Sequence, residues 1–244
     1  MTAGSKRDPE AHGFGHHHRD VSGGWLRPAV FGAMDGLVTN VSLISGVSGG
    51  SGSHNTILLT GLAGLAAGAF SMAAGEFVSV SSQNELVAAE VAKEKYELEH
   101  HPEAEARELA WVYRRRGVDA HTADQLARQL SAHPEEALRV HVREELGVDH
   151  HDLPSPVQAA AASLVTFAVG ALIPLLPYFF TSTSGSGVLG IALGLAALAA
   201  FTGGGVVSKI TARPFWRGAV RQLLLAAVAA GLTYGIGTLV GHAV

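Results

Sequence analysis

The amino-acid sequence predicts an all-α, polytopic membrane protein with five transmembrane helices and a cytosolic helical bundle inserted between helices 2 and 3. Hydrophobic residues make up 48% of the 244-residue chain and charged residues only 16%, against about a quarter in soluble proteins. The charged residues are also unevenly spread, since Asp, Glu, Lys and Arg are absent from residues 36–75, 153–208 and 222–244. Each of these stretches can hold one or two crossings of about 20 residues.

The charge-free stretches place the five membrane helices. The first stretch holds two helices, separated by a loop rich in Gly and Ser, and the second also holds two. Pro174 and Pro177 should kink the third helix, because proline cannot donate a backbone hydrogen bond. The predicted helices cover about 28–47, 57–80, 156–180, 188–207 and 215–240.

The positions of lysine and arginine predict the orientation in the membrane. Basic residues precede helix 1, lie between helices 2 and 3, and cluster at the junction of helices 4 and 5, whereas the other two loops have none. Because basic loops stay on the cytosolic side, we expect the N-terminus and residues 81–152 in the cytosol and the C-terminus outside. No organellar targeting segment is visible, so we expect a prokaryotic plasma membrane.

The predicted spans divide the chain into four regions. The first is a polar, His-rich tail that we expect to be disordered, and the third, which we call the middle segment, is charged and helical in pattern. The regions are 1–24 (tail), 25–80 (helices 1 and 2), 81–152 (middle segment) and 153–244 (helices 3–5).

The middle segment has clear signals for helix ends. Helix 2 should continue out of the membrane to about His100, and Pro102 suits the first turn of the next helix. Thr122 can cap a third helix, and Pro134 can open a fourth that Gly147 ends. The segment is therefore expected to fold as a small helical bundle on a membrane stalk.

Four glutamates of the middle segment form two pairs at i, i+3 spacing, which places each pair on one helix face. Pro102 lies between the pairs, so the two helices can fold back and bring the faces together. A histidine and a glutamate on the last helix share a face at i, i+4 spacing. Glutamates on facing helices together with a histidine build the metal sites of ferritin-like proteins. The candidate metal ligands are Glu94, Glu97, Glu105, Glu108, His141 and Glu145.

A solvated acidic surface is the alternative interpretation of these glutamates. Glu99 and Glu135 fit it, because Lys95 and Arg139 lie four residues away and can pair with them. Most of the candidate ligands have no lysine or arginine within helical reach. Clustered carboxylates without cations repel one another unless a metal ion lies between them, but spacing alone leaves both interpretations open.

Two of the predicted membrane helices carry side chains that could bind a cation. Asp35 lies in helix 1 between Gly32 and Gly36, a spacing that allows close helix approach. A carboxylate inside a membrane helix is costly and indicates function, although Asp35 could instead lie at the cytosolic interface. Met72 and Glu76 share a face of helix 2, and together with Asp35 they would offer oxygen and thioether ligands suited to Fe²⁺.

Several functional classes are excluded or disfavoured. The net charge is −4 and no basic stripe is present, so we expect no nucleic-acid partner. The chain has no cysteine, which excludes thiolate metal sites. It also lacks the HExxH motif of zinc proteases, so we expect no enzymatic activity, and nothing indicates an organic cofactor.

Three segments resemble the vacuolar iron transporter family, in the subgroup that has a cytosolic metal-binding domain. They are FGAMDGLVTN in helix 1, GAFSMAAGEFVSVSSQ in helix 2 and LPSPVQAAAASLVTFAVGALIPLLP in helix 3, with the Glu-rich insert before the last. The resemblance covers the chain from about Arg27 to Gly241 and implies a five-helix protomer that works as a homodimer. It also implies exchange of Fe²⁺ for protons along the dimer interface.

The resemblance assigns roles to particular residues. Asp35 and Met72 match the family's transport-path ligands, and Glu76 matches the carboxylate that follows. The five glutamates match the spacing of its cytosolic metal ligands, but His141 and Val142 stand where members can carry a Met pair. Mn²⁺ is therefore a candidate beside Fe²⁺. We expect an exporter for iron or manganese homeostasis; a membrane-anchored metal sensor or buffer without transport is the alternative.

Overall fold

The computed structural model describes residues 24–243, and every regular element in that range is helical. The long helices at the two ends of the range flank a group of shorter ones. The elements are α1 (Leu26–Gly49), α2 (His54–His100), α3 (Pro102–Arg115), α4 (Ala120–Ser131), α5 (Pro134–Glu145), α6 (Pro156–Leu172), a 3₁₀ turn (Ile173–Leu175), α7 (Leu176–Phe179), α8 (Ser186–Ile210) and α9 (Phe215–Ala243).

Five helical stretches among residues 24–243 are long and apolar enough to cross a membrane. They are α1, α2, the combined α6–α7 stretch, α8 and α9, and each begins within a few residues of its predicted start. Only 11% to 39% of the most apolar window of each stretch is buried inside the protein. Such extensive apolar exposure is what lipid-facing helices need, because their outer surfaces contact hydrocarbon rather than water.

Helix α1 packs against α2, α6, α8 and α9. It approaches α6 closely because glycines replace bulky side chains at the contact. A Cβ atom at Gly36 would overlap the carbonyl oxygen of Phe167, and one at Gly32 would overlap Thr166 and the backbone of Ser163. The close approach predicted from the Gly32–Gly36 spacing is therefore made against α6.

The third membrane stretch is interrupted near its end, as its prolines predicted. The α6 helix stops at Leu172, a 3₁₀ turn that includes Pro174 follows, and α7 resumes with Pro177 in its first turn. Each proline removes one backbone hydrogen bond from the helical ladder. The interruption places Tyr178 in the interior, with 1% of its surface exposed.

Helix α2 is continuous from His54 to His100, as expected. At 1.5 Å per residue its 47 residues extend about 70 Å, far beyond the thickness of a bilayer core. The last turns of α2 pack against α3 and α5, and α4 packs against both of these short helices.

The ends of the short helices were predicted with one error. Pro102 and Pro134 occupy the first turns of α3 and α5, and Gly147 follows α5 with φ +68°. The predicted cap Thr122 is wrong: the N-cap is Asp119, three residues earlier, and its side chain accepts a hydrogen bond from the Thr122 amide. Aspartate is a strong N-cap because its carboxylate binds a free amide.

The surface ion pairs were predicted in part. Lys95 contacts Glu99 at 3.9 Å, as expected, whereas Arg139 contacts Asp149 at 3.5 Å rather than Glu135. The predicted His-rich tail lies outside the described residues, except for Gly24.

Candidate metal site

The candidate metal site lies where the end of α2 meets α3 and α5. Glu94 comes from α2, Glu105 from the first turn of α3, and His141 and Glu145 from neighbouring turns of α5. The chain turns back at His101–Pro102, so α3 runs alongside α2. One ligand atom from each of the four residues lies within 4.8 Å of the others.

His141 is at the centre of this cluster, with only 1% of its side chain exposed. Its Nδ1 atom lies 3.1 Å from a carboxylate oxygen of Glu94, 3.4 Å from one of Glu145 and 3.6 Å from one of Glu105. Its Nε2 atom is buried without a hydrogen-bond partner among the described residues. Three carboxylates therefore surround one imidazole nitrogen.

The electrostatics of the cluster favour binding of a cation. Burial raises the pKa of Glu94 to about 7, and the negative charge of Glu145 and of the other nearby carboxylates adds to the shift. Burial also raises the pKa of Glu105, an effect that His141 opposes and Glu108 supports. Such shifts mean that the ionised carboxylates are destabilised where they lie, and a divalent ion between them would remove that penalty.

All five predicted glutamates line one cavity of about 310 Å³ beside this cluster. Glu97 and Glu108 lie on its wall, more exposed than Glu94 and Glu105. His101 Nε2 is 3.8 Å from Glu97. The structure thus brings together the glutamates that the sequence singled out, with Glu94, Glu105 and Glu145 in the inner group around His141.

The donor set fits one divalent ion of the first transition row. Two oxygen or nitrogen ligands on opposite sides of such an ion are about 4.2 Å apart, at bond lengths near 2.1 Å. The observed spread of 4.8 Å therefore requires only small shifts of the side chains. Carboxylates suit Mn²⁺ and an imidazole suits Fe²⁺ and Zn²⁺, so the set can hold either of the two expected ions.

Two cavity residues were missed by the sequence analysis. Glu90 and Lys93 also line the cavity, where they face each other at 3.8 Å. Glu90 precedes Glu94 by four residues, a spacing that places both on one face of α2 and could have identified it. Lys93 is the one basic residue among those that line the cavity.

The three predicted membrane residues each have their own local neighbours in the described structure. Asp35 is half-buried and accepts a hydrogen bond from Thr39 on its own helix at 3.2 Å. Met72 packs beside Phe167 and Ala69, and Glu76 is half-buried one turn further along α2. Among residues 24–243 no hydrogen bond or ion pair joins Asp35 to Glu76.

The described part of α1 also contains buried polar atoms that the sequence analysis missed. The Asn40 amide donates to the Ala171 carbonyl on α6 at 2.6 Å, while its own oxygen is buried without a partner. Charge counting gave no signal for Asn40, because the side chain is neutral.

Comparison with known proteins agrees with the resemblance seen in the sequence. A model of the VIT family matches residues 26–238. The vacuolar iron transporter of Acanthamoeba castellanii is 38% identical over 234 residues, which cover 92% of this chain and 83% of that protein. Vacuolar iron transporter 1 of Oryza sativa is 30% identical, with 91% and 88% covered, and that of Arabidopsis thaliana is 28% identical, with 96% and 95% covered.

The apolar helices and the matched family together describe an integral, multi-pass membrane protein. The family match runs from the start of α1 into the last turns of α9 and includes the short helices between them. This chain therefore belongs to the VIT family.

Proposed function

We propose that this protein is a proton-coupled transporter that moves Fe²⁺ or Mn²⁺ out of the cytosol for metal homeostasis or detoxification. The observation that carries the proposal is the convergence of Glu94, Glu105 and Glu145 on His141. Helix α2 contributes Glu94 to the site and also carries Met72 and Glu76, in the part of the helix that is proposed to cross the membrane. One continuous helix therefore links the metal cavity to the residues of the proposed transport path.

The transport path in this proposal uses Asp35, Met72 and Glu76. Each is half-buried rather than directed fully outward. A path that runs between two copies of the chain would let these residues act together without contact inside one protomer. For this reason, and from the family resemblance, we propose a homodimer with the path along its interface.

The proposed topology places all five apolar stretches across the bilayer. The basic residues then put the N-terminus and residues 81–152 in the cytosol, with residues 25–80 and 153–244 as the membrane parts. The relatives named above come from an amoeba and from plants and are called vacuolar. Those names do not support the expected prokaryotic plasma membrane, and in either membrane the proposed direction is out of the cytosol.

The direct test is uptake of metal by proteoliposomes that contain a pH-sensitive dye. Addition of Fe²⁺ or Mn²⁺ to the wild-type protein should move metal in one direction and protons in the other. The substitution Asp35→Asn keeps the shape of the side chain but removes its charge, so it should abolish flux. Asp152→Asn, an exposed aspartate outside the membrane helices, is the matched control and should leave flux unchanged.

A membrane-anchored metal sensor or buffer is the alternative function, and the same experiment separates the two. A sensor binds metal in the middle segment, but its vesicles stay free of metal even in the wild type. Metal flux that is insensitive to Asp35→Asn would instead overturn the proposed path.

A further inference from the structure

Three polar side chains lie near the ends of α1 and α7 and the start of α2: Ser48, Tyr178 and His54. The hydroxyls of Tyr178 and Ser48 are buried within hydrogen-bonding reach of each other. The rings of His54 and Tyr178 have centroids 6.1 Å apart, and the Nδ1 atom of His54 is buried without a hydrogen-bond partner among the described residues. A buried imidazole nitrogen without a partner is unfavourable, so its position next to two buried hydroxyls requires an explanation.

The group lies at the opposite end of the membrane helices from the metal cavity. His54 is the first residue of α2 and Glu94 is 40 residues further on, which is about 60 Å along the helix axis. The segments around His54 contain no Asp, Glu, Lys or Arg from residue 36 to 75 or from 153 to 208. The other titratable side chains at this end are Tyr178 on α7, and Tyr234 and His242 on α9.

We propose that His54, Tyr178 and Ser48 form the proton-uptake site on the non-cytosolic side, where the counter-transported proton enters the protein. This inference rests on the proposed proton-coupled function and adds the residues that receive the proton. Tyr178 is 1% exposed, whereas His54 is half-buried and thus connects the surface to the interior. A buried water between His54 Nδ1 and the two hydroxyls would give that nitrogen the partner it lacks.

The chemistry of the site requires only proton transfer. Imidazole accepts a proton at one ring nitrogen and releases another from the second nitrogen, so no net charge stays on the ring. The buried Nδ1 releases its proton toward the Tyr178 and Ser48 hydroxyls, which can each accept and donate. A lasting positive charge is unfavourable at a helix N-terminus, so His54 is suited to passing protons on rather than storing them.

Packing alone does not account for these side chains. Tyr178 lies among Ile44, Ile57, Leu175 and Ala192, where a phenylalanine would fill the same space without burying a hydroxyl. His242, by comparison, has an ordinary local role, since its Nδ1 contacts the Thr238 carbonyl oxygen at 2.6 Å.

The test measures Mn²⁺ flux in oriented proteoliposomes while the pH is varied only on the side opposite the middle segment. Wild-type flux should increase as that side is acidified, because a higher proton concentration there favours proton entry at the proposed uptake site. His54→Gln should remove this dependence, and Tyr178→Phe should weaken it while leaving the KM for Mn²⁺ unchanged. His242→Gln is the matched control and should retain the wild-type profile.

Each other outcome overturns one claim. Wild-type flux without proton movement contradicts the proposed coupling itself. Coupled wild-type flux together with an unchanged profile in both His54→Gln and Tyr178→Phe contradicts the uptake site alone. If His54→Gln raises the KM for Mn²⁺ and leaves the pH profile intact, the residue contacts the metal and is not a proton site.

Discussion

At the scale of single residues, His141 is the side chain on which the carboxylates of the metal cavity converge. The imidazole of His141 can act as a metal ligand through Nδ1, because that atom faces all three carboxylates. The sequence placed His141 and Glu145 on one face of α5, but periodicity could not show that this face points at Glu94 and Glu105. That arrangement depends on how α2, α3 and α5 pack together.

The raised pKa of Glu94 predicts pH-dependent metal binding. With a pKa of about 7, a proton competes with the metal below neutral pH, and affinity should be about fivefold weaker at pH 6 than at pH 7 for one competing proton. Isothermal titration with Mn²⁺ at several pH values measures this slope, and Glu94→Gln should flatten it. A slope that Glu94→Gln leaves intact would assign the proton to another group.

The raised pKa of Glu94 also makes the stability of the metal-free protein depend on pH. The folded state holds the Glu94 proton more tightly than the unfolded chain, whose carboxyl has the ordinary value of 4.5. The contribution of Glu94 to stability is therefore unfavourable above pH 7 and is relieved as the pH falls from about 7 toward 4.5. The unfolding temperature of metal-free wild type, compared with Glu94→Gln, should show this trend.

Replacement of His141 by leucine separates its ligand role from its packing role. His141→Leu keeps a side chain of similar bulk but leaves the carboxylates of Glu94, Glu105 and Glu145 without the imidazole between them, so the metal-free protein should unfold at a lower temperature. Affinity for Mn²⁺, measured below both unfolding temperatures, should also fall about tenfold or more. Equal affinity in the two proteins would show that His141 is only a packing residue.

At the scale of helices, the contact between α1 and α6 is held by glycine. Gly36→Ala places a methyl group against the Phe167 carbonyl, so it should destabilise the protein by about 1–3 kcal/mol. Gly194→Ala on α8 is the matched control, since a Cβ there meets no atom within 4 Å. Thermal unfolding in detergent measures both, and equal stability of the two variants would contradict the close packing.

Most of the helices could be predicted from the sequence because their signals are local. Charge-free stretches define the apolar helices, and Pro174 and Pro177 mark the interruption before α8. The start of α4 was missed because both Asp119 and Thr122 can cap a helix, and the amide that each reaches depends on the local backbone. The His54–Tyr178–Ser48 group could not be predicted at all, since it joins the α1–α2 junction to the distant α7 through neutral side chains.

At the scale of the whole molecule, the proposed topology can be tested with single cysteines, because the chain has none of its own. Ser182→Cys lies in the loop before α8 and Ala104→Cys lies on α3, and both positions are exposed. A membrane-impermeant maleimide applied from the non-cytosolic side should label the first and spare the second until the membrane is opened. Labelling of both before opening would contradict the proposed orientation.

The central claim is that a divalent ion binds between α2, α3 and α5, and titration of the full-length protein with Mn²⁺ tests it most directly. The double substitution Glu94→Gln/Glu105→Gln should weaken binding by about a hundredfold, because it removes two charged ligands. Glu103→Gln/Glu135→Gln, which changes two exposed glutamates away from the cavity wall, should bind as the wild type does. Unchanged affinity in Glu94→Gln/Glu105→Gln would contradict the account.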